Sequence, residues 1–363
     1  MATAIWLALV SHSAAAGQAG ICQNHGVYDY PCLRKQYAKP ISNWPKPVVD
    51  AVASWQEFLP ILPASITPDD EPKVALGKEL FFEKSLSDDA QVSCASCHNP
   101  DYAFTEPRVV SQGVFGRQGR RNSQSLVHLG LQGHHGQMFF WDGRAKTLGE
   151  QILLPLTDPN EMNITLDSIP ARLESAGYRP KFQAVFGSQP QAIDIEQMVD
   201  ALSAYLTHLR PSQTRFDKVL MGEIDAFGNQ ELLGMHLFRT KARCMNCHFG
   251  QTLSDGKLHN LNQTLVGGRF ADFGAYEITG DVADFGKFKT PSLRNLSQSK
   301  PWFHHGRFTN LEGVVEMYNQ GMPERLPKNA PPIAWQNHKD PLIQPLGLTR
   351  SERKAVVAFL LTL

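Results

Sequence analysis

The sequence predicts a mainly α-helical protein made of two helical domains related by a distant duplication. A helical segment leads into a Cys-x-x-Cys-His motif at residues 94–98, and polar, Gly-rich loops follow it. The same order of helix, motif and loops occurs again around a second Cys-x-x-Cys-His motif at residues 244–248. No segment shows the strong alternation of apolar and polar residues that is typical of a half-buried strand.

The individual helices follow from the spacing of apolar residues. Leu76 and Leu80 stand four residues apart ahead of the first motif, so they share one face of a helix. A further helix is predicted over 229–248, into the second motif, and the chain closes on a helix opened by a Thr349–Glu352 capping box. An amphipathic helix that stops before a proline is predicted from the stripe Met198, Leu202, Tyr205, Leu206 and Leu209.

The composition limits the classes of protein that fit. The chain has 363 residues, with 35 Lys and Arg against 35 Asp and Glu. This balance gives no support for binding to nucleic acid or to an acidic membrane surface. A charged fraction of 19%, with 28 glycines and 24 prolines, is typical of a loop-rich globular protein rather than a disordered one.

The first 66 residues differ in composition from the rest. Residues 1–19 resemble a signal peptide, although no Lys or Arg precedes the apolar run, and a disordered N-terminus is the alternative. The run is too short to span a bilayer, so we expect a periplasmic protein without a transmembrane segment. Residues 20–66 are predicted as an irregular extension. In it, Cys22 and Cys32 form a disulfide in an oxidising compartment, or else remain free thiols.

The two Cys-x-x-Cys-His motifs carry the chemical signal of the chain. In such a motif, two thiols bond covalently to the vinyl groups of haem and the histidine supplies an axial ligand to the iron. A zinc site would place its two cysteine pairs about 15–20 residues apart, and a thioredoxin-like pair would need a βαβ context. We therefore predict two covalently bound c-type haems, on Cys94, Cys97 and His98 and on Cys244, Cys247 and His248.

Further motifs resemble those of a known family. The segments FFWDGRAKTLGEQILLPLTDPNEM, LSDGKLHN and GKFKTPSLRN are similar, in order and spacing, to the bacterial dihaem cytochrome c peroxidases and their MauG-type relatives. The resemblance covers about residues 70–363. It implies a cytochrome c-like domain at 67–210 whose haem reacts with peroxide, and a second one at 211–363 whose haem transfers electrons.

The resemblance also implies the roles of individual residues. Trp141 would lie between the two haems as an electron relay. Gln151 and Glu161 would lie over the iron of the first haem, where Glu161 moves the protons of hydrogen peroxide and Gln151 holds the polarised intermediate. Pro155 would pack against the same pocket.

A calcium ion between the domains is a further implication of the resemblance. It would be bound by the side chain of Asn122 and by the backbone carbonyls of Ser299 and Pro301. Oxygen donors of this kind suit a hard cation. The alternative is a set of loop residues without a metal.

Two positions depart from the conventional peroxidases. Val114 stands where those enzymes carry a histidine that blocks the first haem at rest, so we predict an open peroxide-binding haem. We interpret the later His128, His134 and His135 as part of a solvated loop. His305 occupies a position that is usually an aspartate in the family.

The sixth ligand of the second haem separates two functions. Met317 and Tyr318 are adjacent, and neighbours on a helix point about 100° apart, so at most one of them faces the iron. Conventional peroxidases carry Met here and MauG carries Tyr, and in register with the family this chain has Tyr318. Methionine raises the haem potential and suits acceptance of electrons from a small cytochrome, whereas phenolate stabilises oxidised iron.

We therefore expect an enzyme that reacts with hydrogen peroxide and, through high-valent iron shared via Trp141, oxidises a Trp or Tyr of a partner protein. One alternative is a conventional peroxidase that takes electrons from a small cytochrome c or cupredoxin, and another is a dihaem electron carrier without catalysis. MauG passes the oxidation on through a surface tryptophan two residues before its second motif. Here that position is Ala242, so the exit route must differ.

Overall fold

The computed structural model describes residues 20–62, 71–131, 138–188, 192–210, 213–323, 326–336 and 338–363. The predicted signal peptide, His134 and His135 lie outside these ranges. The α-helices within them are α1 Tyr30–Tyr37, α2 Pro72–Phe81, α3 Cys94–Cys97, α4 Leu148–Thr157, α5 Ile169–Ser175, α6 Arg179–Phe186, α7 Ile195–His208, α8 Arg215–Leu220, α9 Asn229–Arg239, α10 Tyr276–Thr279, α11 Leu311–Asn319 and α12 Arg350–Leu360.

Strands contribute little to the described residues, which confirms the prediction of a mainly helical protein. Two short antiparallel pairs are present, β1 Gln23–Asn24 with β2 Val27–Tyr28 and β3 Leu258–Asn260 with β4 Lys287–Lys289. The predicted capping box of α12 is present, because the Thr349 hydroxyl accepts from the backbone of Glu352 and the Glu352 carboxylate accepts from the backbone of Thr349. None of the described helices has the length and apolarity that crossing a bilayer requires.

The buried apolar residues form two clusters. The first is built on α2 and α7 and draws on residues 74–209. The second is built on α9 and α12 and draws on residues 216–363 together with part of the extension. Each cluster thus combines the helix that precedes one Cys-x-x-Cys-His motif with a later helix that packs across it.

The two helix crossings are built in the same way. A Cβ atom on Gly77 of α2 would lie 1.9 Å from the carbonyl oxygen of Ala201 in α7. A Cβ atom on Gly234 of α9 would lie 1.9 Å from the carbonyl oxygen of Ala355 in α12. In both pairs an aromatic residue follows the alanine by four positions and lies against the same glycine. This repeated contact agrees with the proposed duplication.

Replacing Gly234 by Ala will destabilise the protein by about 1–3 kcal/mol, because the added methyl group overlaps the backbone of α12. Gly313 in α11 is the matched control, since an added Cβ there meets no atom within 4 Å. At Gly313, alanine will stabilise the helix by about 0.5–1 kcal/mol. Urea unfolding of the two variants and the parent measures both effects, and equal stability of the two variants would contradict the close crossing.

The extension is more ordered than the sequence predicted. It begins with the β1–β2 hairpin, and α1 follows directly. The predicted disulfide between Cys22 and Cys32 is confirmed, with the two Cα atoms 5.5 Å apart. The prediction of irregular structure was wrong for this part, because the two elements are too short to produce a visible apolar period.

The extension packs on the second half of the chain. Leu33, Tyr37 and Phe58 are buried in the cluster around α9 and α12. The fully buried guanidinium of Arg239 in α9 pairs with the carboxylate of Glu57, with Nη2 2.8 Å from Oε2. Breaking a buried pair of this kind typically costs about 3–5 kcal/mol, so the contact holds the extension firmly.

Candidate haem and peroxide site

A cavity of about 690 Å³ is lined by residues of both halves. From the first motif, Cys97 and His98 reach its wall. From the second motif, Cys244, Cys247 and His248 do so. The two motifs, 150 positions apart in the sequence, therefore face one connected space.

The two motif histidines are held in the same orientation by a backbone carbonyl. Nδ1 of His98 lies 3.0 Å from the carbonyl oxygen of Phe104, and Nδ1 of His248 lies 2.9 Å from that of Leu253. An Nδ1–H donated to a carbonyl fixes the tautomer and leaves Nε2 as the metal ligand. Burial lowers the pKa of both histidines, which favours the neutral imidazole that iron requires.

The four motif thiols are free, although each pair is close enough in sequence to form a disulfide. Burial raises the pKa of the Cys94 thiol to about 11 and those of Cys97 and Cys244 to about 12. Neutral thiols beside a buried cavity are the groups that add to the vinyl carbons of haem. The donor set of the two motifs therefore fits two covalently bound haems.

Lys289 of β4 gives an independent sign of an anionic group in the cavity. Its side chain lines the cavity, the residue is 7% exposed, and its ammonium contacts no carboxylate among the described residues. Burial lowers the pKa of Lys289 to about 8. An unpaired buried cation is costly, and a haem propionate would neutralise it. Sequence reasoning missed this residue, although it lies in the GKFKTPSLRN motif.

One face of α4 forms the wall opposite the motif residues of the first half. Gln151, Leu154, Pro155 and Asp158 follow a spacing of three and four residues, and all line the cavity. Glu161 comes after the helix and lines the same wall, with its backbone N–H donating to the carbonyl of Asp158 over 3.0 Å. The structure thus brings together the three residues that the resemblance assigned to the peroxide pocket.

The electrostatic setting of Glu161 suits proton transfer. Burial raises the pKa of its carboxyl to about 7, Asp158 adds to the rise, and the guanidinium of Arg144 opposes it. A group with a pKa near the working pH can both accept a proton and return it. Arg144 also lines the cavity, and sequence reasoning had not selected it.

Val114 lies away from the cavity and anchors the loop that carries Glu161. Its side chain is fully buried in the first cluster, and its backbone N–H donates to the carbonyl of Glu161 over 2.8 Å. A Cβ atom on the preceding Gly113 would lie 2.1 Å from the carbonyl oxygen of Asn160. The segment where the resemblance would place a blocking histidine is therefore packed closely against the loop that carries Glu161.

The interpretation of His128 as part of a solvated loop was wrong. The residue is 2% exposed and lines the cavity, and burial together with the charge of Arg294 lowers its pKa to about 3. Its neighbours Leu126 and Val127 are buried as well. The segment has no regular apolar period, so its burial could not be predicted from the sequence.

Trp141 is rigidly held at the junction of the two halves. Its indole N–H donates to the carbonyl of Asn122 over 2.8 Å, and its ring meets the ring of His304 edge-on at 6.3 Å between centroids. The adjacent Asp142 pairs with Arg121, which also binds Asp272 in the second half at 2.6 Å. Trp141 lines the cavity that both motifs share.

The three residues that the resemblance assigns to calcium lie on the wall of one cavity. Asn122, Ser299 and Pro301 all line the cavity. The amide nitrogen of Asn122 donates to the carbonyl of Arg108 over 2.8 Å, which leaves its side-chain oxygen for a cation. His305 is buried and donates through Nε2 to Gln263 over 3.3 Å, and burial lowers its pKa to about 4.

A cluster of Cys247, Asp255 and His259 brings possible ligand atoms within 4.8 Å of one another. Both ring nitrogens of His259 are occupied, one by Asp255 at 2.9 Å and the other by Asp340 at 2.6 Å. Although burial lowers the pKa of His259, these two carboxylates outweigh it and raise that pKa to about 12. A protonated imidazole cannot bind a metal, so the cluster is an ion-pair site at the rim of the second haem site.

The face of α11 that lines the cavity includes Tyr318 and leaves out Met317. Leu311, Val314, Val315 and Tyr318 line the cavity with the spacing of one helical face. Tyr318 shares this space with His248, and burial raises the pKa of its phenol. Of the two adjacent candidates, the structure therefore places Tyr318 on the side of the second motif.

Two motif histidines held by backbone carbonyls, four free thiols and a cavity that both motifs reach fit a c-type cytochrome with two haem sites. A family model described as di-haem cytochrome c peroxidase matches residues 71–225. The methylamine utilization protein MauG of Methylorubrum extorquens is 33% identical over 299 residues, which cover 82% of this chain and 79% of that protein. The cytochrome c551 peroxidase of Nitrosomonas europaea is also 33% identical, covering 71% of this chain and 76% of that protein.

A solved structure gives the same result. The crystal structure of a MauG-like protein associated with microbial copper homeostasis matches with a TM-score of 0.72 and 31% identity, covering 85% of this chain and 95% of that one. The chain belongs to the family of dihaem cytochrome c peroxidases and MauG proteins. It is an enzyme, a peroxide-dependent dihaem oxidoreductase.

Proposed function

We propose that this enzyme uses hydrogen peroxide to oxidise a Trp or Tyr residue of a partner protein, as MauG-type enzymes do. The observation that carries the proposal is the position of Tyr318 on the cavity face of α11, with Met317 off that face. A phenolate ligand from Tyr318 would stabilise oxidised iron and disfavour electron uptake from a small cytochrome. The likeness to the MauG-like protein of copper homeostasis supports the same choice.

Separate groups of residues would hold the two haems and the calcium ion. Cys94 and Cys97, with His98, hold the first haem, and the second motif holds the second haem with Tyr318. The haems, when bound, supply the iron that reacts with peroxide and stores the oxidation. A calcium ion on Asn122, Ser299 and Pro301 would tie the two halves together at Trp141.

Glu161 and the residues of α4 that line the cavity would handle the protons of the reaction. Glu161 would accept one proton of hydrogen peroxide and return it to the oxygen that leaves as water. The amide of Gln151 donates a hydrogen bond to the polarised peroxide. Pro155 fills the space beside them with an apolar ring and keeps bulk water away. Trp141 then passes electrons between the two haem sites.

The proposed setting is the periplasm. The disulfide between Cys22 and Cys32 suits an oxidising compartment, and covalent capture of haem suits a compartment from which free cofactor would diffuse away. The relatives named cytochrome c peroxidase support a second candidate function, peroxide reduction with electrons from a small cytochrome c or cupredoxin.

Stoichiometric peroxide distinguishes the two functions. One equivalent added to the resting holoenzyme should change the absorption spectra of both haems at once, without prior reduction, and the oxidised state should persist in the absence of a partner. A conventional peroxidase would instead lose the oxidised state rapidly when a reduced small cytochrome c is added, because the cytochrome supplies the electrons. A spectral change confined to one haem would contradict the proposal.

Replacing Trp141 by Phe will separate the two haems electronically. Phenylalanine keeps an aromatic ring but is much harder to oxidise, so peroxide should then change the spectrum of the first haem without the simultaneous change at the second. Trp44 is the control, because it is buried in the second cluster, its indole N–H donates to Lys39, and it does not line the cavity. A simultaneous change at both haems in Trp141→Phe would remove Trp141 from the relay.

A further inference from the structure

We infer that Trp55, on the N-terminal extension, is the residue through which electrons from the partner protein reach the second haem site. The inference rests on the proposed function, since a conventional peroxidase has no need of such an exit. Residues 48–60, called the strap below, carry Trp55 across the second Cys-x-x-Cys-His motif.

The strap is fastened on both sides of that motif. Its partners lie between residue 239, five positions before the first motif cysteine, and residue 257, nine positions after the motif histidine. The contacts are Val48 N–H to the carbonyl of Arg239 (2.8 Å), Asp50 N–H to Asn246 Oδ1 (2.9 Å), Lys257 Nζ to Ser54 Oγ (3.2 Å) and Gln251 Nε2 to the carbonyl of Pro60 (2.9 Å).

The strap also accounts for the alanine at the position of MauG's surface tryptophan. Ala242 is 3% exposed, and the next residue, Arg243, pairs with Asp50 of the strap at 3.5 Å. A tryptophan at position 242 would meet the strap and the second cluster instead of solvent. The exit therefore has to lie on the outer side of the strap.

Of the two aromatic residues of the strap, Trp55 is the one that reaches solvent, because Phe58 is fully buried. Trp55 is 37% exposed, so part of the indole lies against the protein and part faces solvent. Its chain neighbour Ser54 contacts Lys257, and Glu57 holds the buried Arg239. The apolar side chains of Val52 and Leu59 are exposed on the same strap. A strap that exposes an indole and further apolar side chains fits a partner protein that presents its own Trp or Tyr on an apolar surface.

Trp335 does not meet these conditions. It is more exposed, at 57%, but its indole N–H donates to Ala330 within its own loop. This hydrogen bond stays within the loop and does not reach residues 239–257. If solvent exposure alone decided the exit residue, it would be Trp335, whereas contact with the second motif favours Trp55. Trp335 is therefore the control for Trp55.

Hydrogen peroxide is the final acceptor of the electrons that leave the partner residue. Each hydrogen peroxide takes two electrons and two protons and yields two waters. Trp55 gives one electron to the second haem site and regains one from the partner residue, and this exchange occurs twice for each peroxide. The partner residue releases the two protons to solvent.

Mass spectrometry of the holoenzyme without a partner tests the inference. Oxidation that reaches Trp55 and finds no partner should leave the indole oxidised by two electrons, with one oxygen gained from water and two protons released. After several equivalents of peroxide, the peptide with Trp55 should carry this added oxygen, and the peptide with Trp335 should not. In Glu161→Gln, under the same peroxide, neither peptide should be modified, because activated peroxide is not formed.

Variants give a second measurement. Trp55→Phe should lengthen the lifetime of the peroxide-oxidised spectrum several-fold, and Trp335→Phe should leave it unchanged. Equal or greater modification of Trp335, or an unchanged lifetime in Trp55→Phe, overturns the inference while the proposed function stands. If peroxide gives no persistent oxidised spectrum and added reduced cytochrome c is consumed rapidly, the inference and the proposed function fail together.

Discussion

Replacing Glu161 by Gln will slow the reaction of the resting enzyme with hydrogen peroxide by roughly 10²–10⁴-fold. Glutamine keeps the size of the side chain but cannot accept the proton of the bound peroxide. Gln151 and Pro155 remain in place on α4, so binding of the cofactor should not change. Stopped-flow absorption of the holoenzyme mixed with peroxide measures the rate.

The pH dependence gives the same prediction a second readout. Because burial raises the pKa of Glu161 to about 7, the carboxylate that acts as base is present above that pH and is lost below it. The rate of the parent enzyme should therefore rise with pH up to about 7 and then level off. In Glu161→Gln this rise should disappear. Glu223→Gln, at an exposed position, is the control and should keep the parent profile.

A parent-like rate in Glu161→Gln would remove this carboxyl from the mechanism. A slow rate with an unchanged pH profile would instead assign the pH dependence to another group. Glu106 is then the alternative, since it is buried and burial raises its pKa as well.

Replacing Tyr318 by Met will move the enzyme toward the conventional peroxidases. A thioether in place of a phenolate should raise the reduction potential of the second haem, by on the order of 0.1 V or more. The ferric protein should gain the long-wavelength absorption band of methionine-ligated haem. The oxidised state formed by peroxide should become short-lived, and oxidation of added reduced cytochrome c should increase.

Met317→Leu is the matched control on the same helix. Met317 does not line the cavity, so this change should leave the spectrum and the potential as they are in the parent. If Met317→Leu instead removes a ligand from the second haem, the assignment of Tyr318 is wrong and the peroxidase function takes precedence. Spectroelectrochemistry of the parent and both variants decides between these outcomes.

Sequence reasoning predicted most of the helices and motifs, because these show up as periodic apolar residues or as a fixed spacing of particular residues. The helices around Leu76, Met198 and Thr349 follow from apolar spacing and from a capping box, and the structure has them. Register with the family favoured Tyr318 over Met317, and the face of α11 agrees. Motif spacing could not show that both motifs face one cavity, because that depends on how the two halves pack.

The features that sequence reasoning missed depend on contacts across long distances in the chain. The burial of Arg239 against Glu57 joins the extension to α9 over 182 positions. In the sequence, Lys289 looks like any lysine of a strand, and only the tertiary structure shows that it is buried. His128 is buried by packing between the halves rather than by a local pattern. Each of these needs the tertiary structure, since no local propensity distinguishes it.

The central claim is that peroxide serves to oxidise a protein and not to consume electrons from a small cytochrome. The most direct test is to mix the resting holoenzyme with hydrogen peroxide and an excess of reduced small cytochrome c, and to count the cytochrome molecules oxidised for each peroxide. We expect slow oxidation, far below the rate at which peroxide itself reacts with the enzyme. Rapid turnover, with two cytochromes oxidised for each peroxide, would contradict the claim and establish a conventional peroxidase.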